Sequence, residues 1–164
     1  MLLPLLLLFP LLAAVFLGAW PGLACQCARK LAITLAIVPV ILVSAIGFQH
    51  GASWSLPWMP EANINLAFKA DGISWLFLLL TSLVTLFSLA VSAKLNIGDR
   101  AYCALILVME SMLFGVFTAR HFIPWFLCWE MTLIPAYLLV RLWGGRNAHR
   151  AALRFFIVTL AGGV

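Results

Sequence analysis

The stretch "FIPWFLCWEMTLIPAYLLV", Phe122 to Val140, holds nineteen residues and one charge, Glu130, near its middle. At the α-helical rise it would be about 29 Å long, matching a bilayer hydrocarbon core of about 30 Å. A charged side chain at that depth costs about 2.5 to 3.5 kcal/mol even on a lenient insertion scale. The stretch therefore reads twice, as a membrane span and as a place where an expensive group has been retained.

Working outward, four more complete runs of this kind appear: Leu2 to Leu23, Leu31 to Phe48, Ile73 to Ala93 and Ala101 to Ala119. A sixth begins near Ala151 and reaches Val164, fourteen residues or roughly 21 Å, short of a full crossing. The expectation is an all-α polytopic bundle with five complete spans plus the start of a sixth. It forms one membrane domain: two N-terminal helices and an interfacial loop up to residue 70, then the opening of a longer, truncated unit from 71 to 164. The first run lacks a basic start and is expected to stay in the protein rather than leave as a signal peptide.

Composition agrees. The 164 residues are 65% hydrophobic and 9% charged, with a mean hydropathy of +1.13, far from the balance of a water-soluble domain. The net charge of +5 sits in short connections, which excludes a nucleic-acid module. The connections after the first, third and fifth runs hold Arg29, Lys30, Lys94, Arg100, Arg141, Arg146 and Arg150, with Arg154 just inside the sixth run; the others hold only Lys69 and Arg120. The positive-inside rule then puts the Lys- and Arg-rich connections in the cytoplasm and the N-terminus outside. The long connection Gln49 to Gly72, with Trp54, Pro57, Trp58 and Pro60, reads as an irregular loop at the outer interface, and Ser74 or Asp71 caps the third helix. His50 reads as an interfacial loop residue. The four cysteines, Cys25, Cys27, Cys103 and Cys128, read as packing residues rather than metal ligands.

Two acids are the departures that carry chemistry. Glu110 lies ten residues from Arg100 and Glu130 eleven from Arg141, roughly 15 and 16 Å from the same side. Adjacent antiparallel helices would hold them at one level. Removing a carboxyl from water favours its protonated form, a second acid nearby favours it further, and an approaching cation favours release. Such a pair can load and unload a proton; the plainer reading is two acids that only hydrogen-bond neighbouring helices. Pro135, five residues after Glu130, leaves the carbonyl of Met131 without its helical donor and can open the helix to water. Thr132 and Tyr137 add hydroxyls nearby. His121 lies at the outer face. Arg154 either snorkels to the interface or points inward to the acids.

Asp71-Gly72-Ile73-Ser74, "LILVMESMLFGVF", "FLCWEMTLIPAYLLVRLWGG" and "RAALRFFIVTLAGG" together resemble the antiporter-like membrane subunits of respiratory complex I, of the M or subunit-4 type. The resemblance covers Asp71 to Gly163 and is looser before it. It implies a proton-translocating subunit of an NADH:quinone oxidoreductase, in a bacterial inner membrane, with about fourteen helices in two inverted repeats, of which this chain resembles the N-terminal third. It also implies that Glu130 is the channel carboxylate, that its partner is a Lys on a seventh helix, and that Glu110 is a second acid of the path. No cofactor is expected in this chain; NADH, flavin, iron–sulfur clusters and quinone belong to partner subunits. Where the family has an acid before the fifth helix this chain has His121, Pro124 is unusual there, and Arg154 stands where a Lys is usual. Arginine keeps its proton, so position 154 cannot carry one. The alternatives are a multisubunit Na⁺/H⁺ antiporter of the Mrp type, a related hydrogenase or carbon-uptake module, and a non-transporting membrane scaffold.

Overall fold

The computed structural model describes residues 2–20, 24–48, 52–59, 64–95 and 99–163. His50, Pro60 and the ends of the first and sixth expected runs, at 21–23 and 164, lie outside the described residues. The chain folds as α1 (Leu2–Ala19), α2 (Cys25–Phe48), β1 (Ala52–Met59), β2 (Ile64–Ala70), α3 (Gly72–Leu95), α4 (Arg100–Thr118), α5 (Phe122–Trp143) and α6 (Ala148–Gly163). Five of these helices, α1 to α5, are long and apolar enough to cross a membrane. The second helix starts six residues earlier than its hydropathy suggests, at Cys25, so Cys25, Cys27, Arg29 and Lys30 sit in its first turns. Proline lies inside α1 (Pro10), α2 (Pro39) and α5 (Pro135), as membrane helices tolerate where neighbouring groups satisfy the freed backbone.

The connection between α2 and α3 is not an irregular loop. Ala52–Met59 and Ile64–Ala70 pair as an antiparallel hairpin with Trp54 opposite Phe68 and Leu56 opposite Leu66. Both segments alternate apolar and small or polar residues, a period of two that the helix-breaking prolines and interface-seeking tryptophans obscure. Phe68 and Ala70 are buried against Leu3, Leu6, Val43, Ile46, Leu78 and Phe114, so the hairpin closes one end of the bundle. An isolated bridge from Phe68 to Ala119 and a hydrogen bond from the Arg120 amide to the Ala67 carbonyl (2.8 Å) tie it to the α4–α5 connection.

At the opposite end, Ala13, Ala14, Leu17, Ala32, Ala36, Leu89, Cys103 and Leu107 form a second apolar cluster. There Arg100 Nη1 donates to the Trp20 carbonyl (2.8 Å), which brings the α1 and α3–α4 ends together. The basic connections thus share one end and the hairpin occupies the other. Central to both clusters is α4, which touches α1, α2, α3 and α5. Small residues set the closest approaches. A Cβ on Gly47 would run into the Trp75 indole, whose Nε1 donates to the Val43 carbonyl at 2.8 Å and locks α3 to α2.

Candidate functional site

Asp99 starts α4 by accepting from the Tyr102 amide (3.1 Å), leaving an otherwise apolar helix to pass through the bundle. Glu110 falls between Leu107, of the cluster at the basic end, and Phe114, of the cluster at the hairpin end. It is 1% exposed, and neither carboxylate oxygen has a hydrogen-bond partner. A buried polar group left unpaired costs about 1 to 3 kcal/mol, and more when charged. The adjacent Ser111 does not relieve it, because its hydroxyl donates instead to the Leu7 carbonyl of α1 (2.5 Å). Glu110 borders a cavity of about 340 Å³ whose walls include Thr81, Thr85 and Ser88 of α3, Tyr102 of α4 and Leu139 of α5. That space is ample for several waters.

Glu130 faces elsewhere. It is half-buried on α5, its Oε1 is buried without a partner, and a Cβ built on Gly163 of α6 would stand 2.9 Å from that oxygen. The carboxylate therefore rests on the bare backbone of α6. Two contacts fix the register of α4 against α5. A Cβ on Gly115 would stand 2.5 Å from Cys128 Sγ, and the Tyr102 and Trp143 rings meet edge to face with centroids 5.4 Å apart. Counting from these contacts, Glu110 lies opposite Leu133 to Pro135, so Glu130 sits three to five residues, roughly 5 to 8 Å, nearer the hairpin end. The two acids are about one turn apart rather than at one level, and they open toward different helices.

Helical structure continues from Phe122 through Pro135 to Trp143, so no break in the helix forms beside the acids. Pro135 is buried at the depth of Glu110, and its missing N–H leaves the Met131 carbonyl free of its usual helical donor. Arg154 is exposed on α6 and pairs with neither acid. Thr132 donates to the Trp129 carbonyl (2.6 Å), and Arg141 Nη1 donates to the Tyr137 hydroxyl (3.1 Å). His121 is exposed and precedes α5 without a side-chain cap. Cys103 is buried, Cys128 packs on Gly115, and among the described residues no three of His, Cys, Asp and Glu gather as a metal site. Asp71, not Ser74, is the cap of α3: its Oδ1 accepts from the Ser74 amide at 3.0 Å. Sequence reasoning missed the Asp71–Arg120 ion pair and the row of hydroxyls on α3. The row was visible as Thr81, Thr85, Ser88 and Ser92 at helical spacing.

These helices define an integral, multi-pass membrane protein with an acid within each of two adjacent spans, buried on α4 and half-buried on α5. Residues 119–164 match the family described as NADH:quinone oxidoreductase/Mrp antiporter, TM. NAD(P)H-quinone oxidoreductase chain 4 of the Chara vulgaris chloroplast is 34% identical over 168 residues, covering 98% of this chain and 34% of the relative. Among solved structures, a chain of respiratory complex I from Thermus thermophilus with bound NADH aligns over 100% of this chain and 34% of its own length, with 30% identity and a TM-score of 0.86. The fold also matches a chain of the Mrp complex from Dietzia sp. DQ12-45-1b over 99% of this chain and 18% of that one, with 24% identity and a TM-score of 0.83. The chain is similar to the antiporter-like membrane subunits, and among them to the chain 4 (subunit M) type. It spans about a third of the length of the curated relatives it matches.

Proposed function

We propose that this chain is part of a proton-translocating membrane subunit of an NAD(P)H:quinone oxidoreductase. Glu130 and Glu110 carry the protons, while partner subunits hold NADH, flavin, iron–sulfur clusters and quinone. The observation that carries this reading is Glu110: an acid 1% exposed, with both oxygens unpaired, between two apolar clusters. Such a group works against stability, and a role that needs a buried exchangeable proton accounts for its presence. Offset by about a turn and facing different helices, the two acids act as successive stations, each altering the other's proton affinity through its charge. Pro135, beside them, frees the Met131 carbonyl, which can hold a water.

The excess of Lys and Arg at one end, eight against two, supports placing that end in the cytoplasm of a bacterial plasma membrane, with the hairpin and the N-terminus outside. The test is Glu130→Gln in the intact subunit assembled in its complex, reading proton pumping and quinone reduction in sealed vesicles. Loss of pumping with normal assembly is expected; unchanged pumping refutes the assignment. The similarity to the Mrp fold makes sodium-dependent pH change in the same vesicles the measurement that would favour an antiporter instead.

A further inference from the structure

The half of α3 nearest the basic end carries a recess on its outer side. Val84, Phe87, Val91 and Leu95, each more than half exposed, recur at i, i+3, i+7 and i+11 along one stripe of the helix. With Ser88, Ser92 and the Tyr102 ring of α4 they line a cavity of about 420 Å³, within the range of about 300 to 1,000 Å³ that holds small molecules. Eleven positions separate Val84 from Leu95, or roughly 16 Å of helix, and one leaflet of bilayer hydrocarbon is about 15 Å thick. The recess therefore runs from the end that holds Lys94 and Arg100 to the middle of the span, where Val84, Ser88 and Tyr102 also border the smaller cavity of Glu110.

Its walls suit a hydrocarbon chain. Ser92 is buried, and the four side chains open to the bilayer are carbon throughout. The mouth carries charge. Lys94 is exposed in the last turn of α3 and Arg100 opens α4. Arg141 lies in the last turn of α5, two residues before Trp143, whose ring meets Tyr102 edge to face. Asp99 is the acid at this mouth, and its carboxylate is engaged in capping α4 through the Tyr102 amide (3.1 Å), so the balance is positive. Tyr and Trp favour the level of lipid headgroups, and Lys and Arg stems reach out to it. We propose that the recess binds an anionic glycerophospholipid from the leaflet at the basic end. One acyl chain lies along Leu95, Val91, Phe87 and Val84, and the phosphate is held by Lys94 and Arg141 beside the Tyr102–Trp143 pair, as basic pockets between membrane helices hold such headgroups. The chain ends at Val84 and separates the Glu110 cavity from the bilayer on that side. This site stands whether or not Glu110 carries protons.

The test uses the intact subunit assembled in its complex, in vesicles of phosphatidylcholine and phosphatidylglycerol in equal parts, one lipid or the other carrying a photoactivated diazirine midway along an acyl chain. Adducts are located by mass spectrometry of the unmutated protein, so no variant has to fold. Phe87 and Val91 should be labelled about tenfold more by phosphatidylglycerol than by phosphatidylcholine. The control is Val15, 62% exposed and four residues from the basic end of α1, as Val91 is from that of α3; it should take both lipids alike. In Lys94→Gln and in Arg141→Gln the preference at Phe87 and Val91 should fall about fivefold, the factor for one Lys or Arg beside an anionic headgroup, and Lys94→Arg should keep it. Equal labelling by the two lipids at Phe87 and Val91 means bulk lipid alone and overturns the site. Absence of adducts there, as a protein segment or water in the recess would give, overturns it too. A preference that survives both glutamine substitutions overturns the placement of the phosphate.

Discussion

Asp71 accepts from the Ser74 amide at the start of α3 and forms an ion pair with Arg120, which lies between α4 and α5. One carboxylate thereby caps a helix and ties the hairpin end of three helices together. The hydrogen bonds from Ser74 and the Arg120 guanidinium hold its carboxyl down at about 2, against an ordinary 3.8. Because the folded value is the lower one, the stabilisation is fully present above about 3.8 and is lost as pH falls through about 2. Asp71→Asn keeps a capping side chain but not the charge. In detergent micelles its melting temperature should fall less than the parent's between about pH 4 and pH 2, and Arg120→Ala should shift the same window upward. Identical pH profiles for parent and Asp71→Asn would refute the coupling.

Gly115 and Cys128 set the α4–α5 distance. A methyl at position 115 would meet Cys128 Sγ at 2.5 Å and its Cβ at 3.2 Å, so Gly115→Ala forces the helices apart at an overpacking cost of about 1 to 3 kcal/mol. Cys128→Ala removes the sulfur and should restore most of that loss. A double-mutant cycle on unfolding in detergent should therefore give a coupling of about 1 kcal/mol or more; additive effects would show that the two helices do not meet there.

Gly163 matters to Glu130 in a different way. The Cβ of Gly163→Ala would lie 2.9 Å from Oε1, but a carboxylate at the end of a flexible side chain can rotate away, so the fold should tolerate the change. The acid would nevertheless lose its position against α6. Assembly yield should be unchanged while proton pumping drops several-fold, measured in vesicles of the intact complex. Normal pumping would mean that the exact position of the carboxylate is immaterial.

Hydropathy made the spans legible, because length and apolar content are what a bilayer selects, and the acids stood out for the same reason. The hairpin was not read because Trp54, Trp58 and the prolines carry interface and helix-breaking signals that mask a two-residue alternation over Ala52–Met59 and Ile64–Ala70. Depth along a helix was legible to about a turn, but the register of Glu110 against Glu130 depends on where Gly115 admits Cys128, a contact that no periodicity reveals. Which way each acid faces, one to α3 and the other to α6, likewise depends on the packing of neighbours rather than on spacing.

Glu110 allows the functional and merely structural readings to be separated by stability alone. If the acid held helices together, replacing it would weaken the bundle. Its oxygens pair with no protein group, and the hydroxyls of Thr81, Thr85 and Tyr102 share its cavity without bonding to it, so Glu110→Leu should leave the fold at least as stable, or more stable by up to about 1 kcal/mol. Glu110→Gln, which keeps the shape and loses the exchangeable proton, should change stability less. Both should abolish or severely slow proton pumping in the assembled complex, a gain in stability at the expense of activity that marks a group retained for its chemistry. Thermal unfolding in detergent and pumping in vesicles check the two halves separately, and a Glu110→Leu variant that unfolds more easily would return this acid to a packing role.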